Sequence, residues 1–500
     1  TNNHKLNIKE IPIFIEHNNS EQSIAIIFNT GDSRNQNTYW LTFGGKFVTA
    51  PLHLKKKPAK TLFRVQSMQK VTSNRIKDEQ TDCIIIVPQH FVSMAQTLAE
   101  FQTTTMNIKS TVYLQEDILN EYANGMANSY GIRNFLQSSF ENFPEPAPQY
   151  VILFGSGSYE GANESITIES WYNLNSKNNI LTFNESDDNF VDFYTSNHPE
   201  MSVGRIPAQN SSEANFYLER TQKYVTEPTP GFWKNRVMIV ADDEYKGSTY
   251  ESGNFNHSLQ AQQAEDIINR NVIVDKIMAL EYEFDEYNNK PGVVEETLAR
   301  LKEGRLIWYY IGHGHHDIMG DEQYFRGSLH MQLMDNKEHL PLMIAASCSV
   351  GEFDNPSYNS IGDRIIFLEN GGAISSIAAT RGCTPVSNTN LIKYFLEEAV
   401  NRRYRLGISL LSAKLNSDAS YSNSRYYHIL GNPTLSINPP TPIGNISFTP
   451  AVDSIRPKGT YTISSTLGQD SLNINSGLLK IYDSDYNISY TNWDLPNDSG

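Results

Sequence analysis

Cysteine is scarce in this chain: three residues in 500, Cys83, Cys348 and Cys383. They form no CxxC pair and have no histidines at ligand spacing, which argues against a cysteine-based zinc site. A disulfide framework is not expected in a chain of this size. Long apolar runs are also missing. None approaches the roughly 20 residues that a membrane-spanning helix needs. The opening "TNNHKLNIKE" has no apolar signal-peptide core, and the closing "TNWDLPNDSG" carries no recognisable anchor. Both ends read as cut from something longer. Positive charge is in short supply, with 40 Lys and Arg against 56 Asp and Glu and a net charge of −16. That balance argues against a nucleic-acid partner, because phosphate binding needs clustered cations. The one dense basic run, "HLKKKPAK" at 53–60, reads as a solvated loop or strand edge.

What is present describes a folded chain. Hydrophobic residues make up 39% and aromatics 11%, and 500 residues exceed one ordinary core, so two to four domains are expected. Residues 1–62 read as a β region, with "IPIFIEH", "SIAIIFNT" and "TYWLTFGG" as short strands between Asn, Gly and Asp turns. From about residue 80 the rhythm changes. Strand-length apolar runs ("DCIIIVP", "STVYLQ", "QYVILFGSGS") alternate with segments of helical spacing. After "VGRIPAQNSSEANFYLERTQKYV" the alternation restarts with "RVMIVADD", "VIVDKIMAL", "RLIWYYIGHG", "LPLMIAASC" and "AISSIAAT". Strands apolar on both faces, separated by helices, predict parallel sheet covered by helices. The expectation is two adjacent α/β units, 63–205 and 206–437. A Pro-rich linker, "INPPTPIGN", leads to a β module over 438–500, read as truncated at Gly500.

Ligands bind outside the carboxyl ends of parallel strands. Three strands of the second unit end in reactive residues: Asp242 and Asp243 after "RVMIVA", His313 after "RLIWYYIG", and Cys348 after "LPLMIAAS". Together they suit a cysteine nucleophile. The thiolate is the attacking species, an imidazole takes the thiol proton and returns it to the leaving amine, and a carboxylate orients the imidazole. Gly314 leaves room for a substrate backbone. The amides of Gly314 and Cys348 are candidates for an oxyanion hole, worth about 3–4 kcal/mol per donor. Each piece also has a plainer reading. A strand-end cysteine is commonly structural. His315 and His316 in "GHGHH" compete with His313, and that run admits a metal reading whose further ligands the sequence does not show. Asp242 and Asp243 also suit solvated turns or calcium ligation. Cys83 opens "CIIIV" and reads as core; Cys383, after "AATRG", reads as pocket wall.

At these residues the sequence resembles the gingipain family of cysteine peptidases. "YYIGHG" is similar to the family's histidine motif and "AASCSVGEFDNP" to its cysteine motif. "GGAISSIAATRG" and "HILGNPTLSINPP" resemble the blocks that follow, and "ILFGSGSY", "ESDDNF", "MSVGRIPA" and "IVADDE" fall upstream in the family's order. Downstream, "DSIRPKGTYTISSTLG" and "SGLLKIYDSDYN" resemble the module of the branch that acts as signal peptidase in type IX secretion. The resemblance implies a caspase-like, two-subdomain α/β/α peptidase domain, flanked by the N-terminal β region and a C-terminal immunoglobulin-like β sandwich. It implies His313 and Cys348 as catalytic dyad, with an acid just after "RVMIVA", where Asp243 ranks first and Asp242 second. The branch's "GDGSYD" block reads "GSGSYEG" here, with Ser156 and Glu160 in place of aspartates.

The implied activity is a cysteine endopeptidase at the outer face of the outer membrane. It would remove C-terminal sorting domains from secreted proteins, with a sortase-like transfer to surface lipopolysaccharide as an extension. Its partners would be those substrates and outer-membrane secretion components. The alternatives are a broad gingipain-like extracellular protease and a non-catalytic surface scaffold. The chemistry itself requires no cofactor. A structural calcium is compatible with the Asp- and Asn-rich loops such as "NESDDNF" at 184–190.

Overall fold

The computed structural model describes residue 76, residues 78–437 apart from 162–165, 195–197, 247–248, 251–255, 269–271 and 418–420, residue 439, and the backbone of three strand pairs beyond them. Those pairs are antiparallel: Phe14–Asn18 with Ser23–Ile27, Gly444–Thr449 with Thr462–Leu467, and Ile481–Tyr482 with Ile488–Tyr490. The rest of the expected β regions at 1–62 and 438–500, including the immunoglobulin-like module, lies outside the described residues.

Ten strands build one sheet. In chain order they are β1 (Cys83–Val87), β2 (Ser110–Leu114), β3 (Tyr150–Phe154), β4 (Ser202–Ile206), β5 (Arg236–Ala241), β6 (Ile273–Met278), β7 (Ile307–Ile311), β8 (Leu342–Ala346), β9 (Ser375–Ala379) and β10 (Tyr427–Leu430). In space they run β6-β5-β7-β8-β9-β10-β4-β3-β1-β2. Each half winds the same way. A first strand is followed by its outer neighbour, and the chain then crosses back to continue inward, so β1 precedes β2 and then β3 and β4 as β5 precedes β6 and then β7, β8 and β9. The point where the winding reverses lies between β5 and β7 in the second half.

The two runs of strands expected from sequence are joined into one continuous sheet by β10. It pairs antiparallel with β9 and parallel with β4. The five strands β5 to β9 therefore run one way, while β10 and β1 to β4 run the other. The carboxyl ends of the two halves face opposite edges.

Helices cover both faces. The main ones are α1 (Val92–Thr105), α2 (Ser129–Asn142), α3 (Ser211–Thr226), α4 (His257–Ile267), α5 (Pro291–Glu303), α6 (Pro385–Leu396) and α7 (Leu406–Asn416). In β1 the alternation is plain: Ile85 and Val87 join Leu98 of α1 in one core, while Ile84 and Ile86 join Phe135 and Leu136 of α2 in the other. "IGDRIIFLEN" makes one α-turn at Ile361–Arg364 and continues as a 3-10 turn. Its end is pulled back by Gly372, at φ 90°, so that Ala373 can donate to Ile365 O. Among the described residues no helix is long and apolar enough to cross a membrane.

Two sequence blocks meet at the seam. Gly204 of "VGRIP" packs on Pro433 of "LGNPT", where an added Cβ would lie 2.7 Å from the proline ring. Arg205 beside it has no solvent exposure. Its Nε and Nη2 hold both oxygens of Asp187 at 2.8 Å, and its remaining N–H groups reach Gly155 O, Ile180 O and Leu181 O at 3.0–3.3 Å. All five guanidinium donors are thus used. Replacing Arg205 by Met would strand a buried carboxylate and three carbonyls, so Arg205→Met should lower unfolding stability by about 3–5 kcal/mol. The shift in denaturation midpoint reads this directly. A loss below about 1 kcal/mol, the size of a surface ion pair, would show that the network carries no such weight.

Candidate active site

The strand ends β5, β7 and β8 are parallel neighbours in register, Ala241 beside Ile311 and Ile311 beside Ala346. Asp242 and Asp243, His313 and Cys348 follow them by one or two residues, so the sequence candidates come to one edge of the sheet at the reversal point. Here the strand-end expectation and the geometry coincide.

Asp242 is fully buried and organises the turn after β7. Its Oδ2 accepts the backbone N–H of His313 at 2.7 Å and the Tyr310 hydroxyl at 3.4 Å. Its Oδ1 accepts the Asp243 amide at 2.9 Å. Gly312 makes this approach feasible, since a Cβ there would sit 2.3 Å from Asp242 Cβ. Burial pushes the Asp242 carboxyl up to about 7, although the His313 amide, the Tyr324 hydroxyl and the His313 imidazole all pull it down. One Asp242 oxygen lies within 4.8 Å of a His313 ring nitrogen.

Asp243 faces elsewhere. Its Oδ2 is 2.6 Å from Lys290 Nζ in an ion pair with both side chains buried, and its Oδ1 accepts the Tyr245 amide at 2.8 Å. Lys290 also donates to Ala279 O at 2.6 Å. The acid that ranks first on sequence is therefore neutralised by a buried lysine, and the second-ranked one stands beside the histidine.

Cys348 is half-buried, and the turn after it is sharp, with Ser349 at φ 52°. The loop after β9 lies against its sulfur, the Cys383 amide donating to Sγ at 3.3 Å. Gly314 packs on the cysteine loop, where an added Cβ would come within 2.5 Å of Ser347 Oγ. Burial and the neighbouring Cys348 push the Cys383 thiol up, so it stays protonated. Cys83 is buried within β1, and burial likewise pushes its thiol up.

His315 and His316 belong to a small three-stranded meander beginning at Gly314–His315. His315 is exposed, and His316 stacks on Tyr358 with ring centroids 3.7 Å apart. A residue that sequence reasoning missed stands in their place. His257, the first residue of α4, is buried, and its ring meets that of His313 edge-on with centroids 5.5 Å apart. Asn256 caps the helix by accepting the Leu259 amide, which fixes where that first turn starts. The "NHSLQ" signature shows the cap but not the distance to a histidine 56 residues later.

The acidic loop "NESDDNF" has both aspartates in ion pairs, Asp187 with Arg205 and Asp188 with Lys414 at 2.5 Å. In the altered glycine block, Ser156 donates to Lys177 O at 2.8 Å and Glu160 accepts from Asn175 at 3.1 Å. Both residues hold loop to loop.

Known proteins place this architecture. Among solved structures, the Arg-specific cysteine proteinase gingipain R (RgpB) superposes with a TM-score of 0.56 at 15% identity, over 75% of this chain and 83% of that one. The complex of RgpB pro- and mature domains from Porphyromonas gingivalis gives 0.54 at 16% identity, over 73% and 82%. Dimeric latent PorU from Porphyromonas gingivalis is matched at 18% identity over 74% of this chain but 31% of its own length, with a TM-score of 0.37. No curated protein matches in sequence. The α/β architecture is thus shared with the gingipains, and the sequence model of peptidase family C25 matches residues 76–438: the chain belongs to that family, the gingipain-type cysteine peptidases.

Proposed function

We propose that Cys348 is the nucleophile, His313 its base and Asp242 the acid that orients the imidazole, in a peptidase that removes C-terminal sorting domains from secreted proteins. The observation that carries the site is the convergence of these residues on three adjacent parallel strand ends, with the Asp242 carboxylate hooked onto the His313 backbone.

The chemistry follows from that arrangement. His313 takes the Cys348 proton, and the thiolate attacks the scissile carbonyl. An N–H at the sulfur, that of Cys383, suits an atom that carries charge during this step. The backbone amides of Gly314 and Cys348, on segments packed against each other, are the assigned donors to the tetrahedral oxyanion. His313 returns the proton to the leaving amine, leaving a thioester. Water then releases the product, or an amine acceptor takes the acyl group in a transfer reaction. Asp242 is assigned the orienting role over Asp243 because Lys290 already neutralises Asp243.

The sorting-domain substrate rests on the sequence resemblance of the segments after residue 438 to the type IX signal-peptidase branch. That resemblance also supports an extracellular, outer-membrane location and secretion-system partners. A structural calcium remains compatible with the oxygen-rich loops outside the paired Asp187 and Asp188.

Peptides spanning a sorting-domain junction, one version carrying a cysteine-directed electrophile, test this reading on the full chain. Wild type should be labelled once and should cut at the junction in preference to unrelated peptides. Cys348→Ala should abolish both, and His313→Ala should slow cleavage by roughly 10²–10⁴-fold. Equal inertness of wild type and Cys348→Ala would sink the peptidase assignment. Indiscriminate cutting would replace the sorting-domain substrate with a broad one.

The two aspartates separate in a second test. Asp242→Asn should lower kcat by at least about 10²-fold and, because its NH2 must face one of the two backbone N–H donors, cost about 1–3 kcal/mol of stability. Asp243→Leu leaves Lys290 unpaired in the interior and should cost about 3–5 kcal/mol of stability. Restoring balance with Lys290→Met in the same chain should recover much of that loss and retain turnover. A double variant that is stable but inactive would return the catalytic acid to Asp243.

A further inference from the structure

The histidine beside the dyad has a use that peptide cleavage does not require. A ring nitrogen of His257, a ring nitrogen of His313 and a carboxylate oxygen of Asp242 all lie within 4.8 Å of one another. Two imidazoles and one carboxylate are the donor set of three-ligand zinc sites, with donor–metal distances of about 2.0–2.2 Å. They are a poor set for calcium, which takes six to eight oxygens. The three donors come from three elements: the end of β5, the first turn of α4 and the turn after β7.

The surroundings fit a ligand role. Gln260, one turn along α4, places Oε1 3.0 Å from His257 Nδ1. A carboxamide oxygen only accepts, so His257 donates from Nδ1, and in the neutral ring the lone pair is then on Nε2. That outward bond is the support that metal-binding histidines use to fix tautomer and orientation. Asp242 is oriented in turn by the amides of Asp243 and His313. The neighbouring trio Asp242, Asp243 and Glu322 is also mutually close. There, however, the Lys290 ammonium already occupies the cation's place on Asp243, and the Tyr324 hydroxyl donates to Glu322 at 2.9 Å.

We propose that Asp242, His257 and His313 form a transition-metal site of the zinc class whose occupancy turns the peptidase off. Three protein ligands leave the fourth position to water. A neutral imidazole with metal on one nitrogen keeps only an N–H on the other, so it has no lone pair with which to take the Cys348 proton. Inhibition follows whichever His313 nitrogen is bound. It rests on the dyad reading above; metal binding does not.

The test therefore starts from the chain that cannot cleave. Full-length Cys348→Ala, stripped with a chelator, is titrated with Zn²⁺ against a chromophoric competitor and separately with Co²⁺. One site is expected. The cobalt form should show the visible bands of a low-coordinate N/O site and, in wild type as well, no thiolate charge-transfer band. Adding His257→Gln should weaken zinc binding by more than tenfold, and Gln260→Leu by about tenfold, the usual cost of a supporting group. Melting curves confirm that each variant folds. In the Cys348-containing chain, zinc should inhibit reversibly, and His257→Gln, scaled to its own metal-free rate, should escape.

A zinc affinity that falls with Cys348→Ala but not with His257→Gln would place the ion on the thiol and overturn the site. A chain that cleaves but binds no zinc overturns the inference and leaves the peptidase reading standing. A chain that binds zinc through His257 but never cleaves supports the site and overturns the nucleophile assignment instead.

Discussion

A guanidinium with no access to water is the fixed point of this fold. Arg205 can be buried because each of its five donors has an acceptor and Asp187 supplies the opposite charge. An Arg with one unmet donor would cost several kcal/mol at that depth. Its ring-facing side lies 4.8 Å from the centroid of Phe353, five residues past the catalytic cysteine candidate. The same loop is gripped elsewhere. Lys177 donates to Asn355 O and Tyr358 O, Tyr159 N–H donates to Asp354 O, and Arg381 holds both oxygens of Asp354. Much of what fixes the far side of the Cys348 loop thus comes from the half of the sheet that contributes none of the reactive residues.

That division of labour is a consequence of strand direction. Because β10 runs antiparallel to β9, the first half presents its strand starts, not its strand ends, to the edge where Cys348 and His313 lie. Segments leading into β4 reach that edge: Glu185 O accepts the Thr380 hydroxyl, and Ser186 donates to Arg425 O at 2.5 Å. The first part of the loop after β3 meets the Cys348 loop at residues 354–358, on the side away from the sulfur. Two halves with the same winding therefore have different uses. The one whose reversal point carries an acid, a histidine and a thiol holds the proposed chemistry, and the other packs against the loop that carries the thiol.

Much of this was legible in the chain. "CIIIV", "YVILF", "IWYYI" and "LMIAA" are buried at every position, which is why unbroken apolar runs were enough to identify central parallel strands. The strand-end places of Cys348 and His313 were readable because each follows such a run. "YHIL" was harder. It is short, carries a histidine, and its role as the antiparallel seam depends on partners 50 and more than 220 residues away. The aspartates show a second kind of limit. "ADD" gives two carboxylates on adjacent residues after a strand end, and what separates them is the partner each finds, Lys290 for Asp243 and the His313 amide for Asp242. His257 is a third kind, since its proximity to His313 is produced by the path of a helix and has no periodic signature.

The charge arrangement at the catalytic edge explains why one aspartate is special. Three carboxyls, Asp242, Asp243 and Glu322, crowd a region from which water is excluded. Lys290 neutralises Asp243, and Glu322 takes the Tyr324 hydroxyl. Asp242 has dipoles for partners, chiefly two backbone amides, and those do not fully compensate its burial, which is why its carboxyl is pushed up to about 7. A carboxylate in that state gains most from a cation beside it. In the proposed reaction the cation generated is the His313 imidazolium, formed when the ring takes the thiol proton. The burial that makes Asp242 expensive to ionise alone thus favours the proton transfer that creates its counter-ion, and a residue already paired with a fixed lysine has no comparable gain to offer.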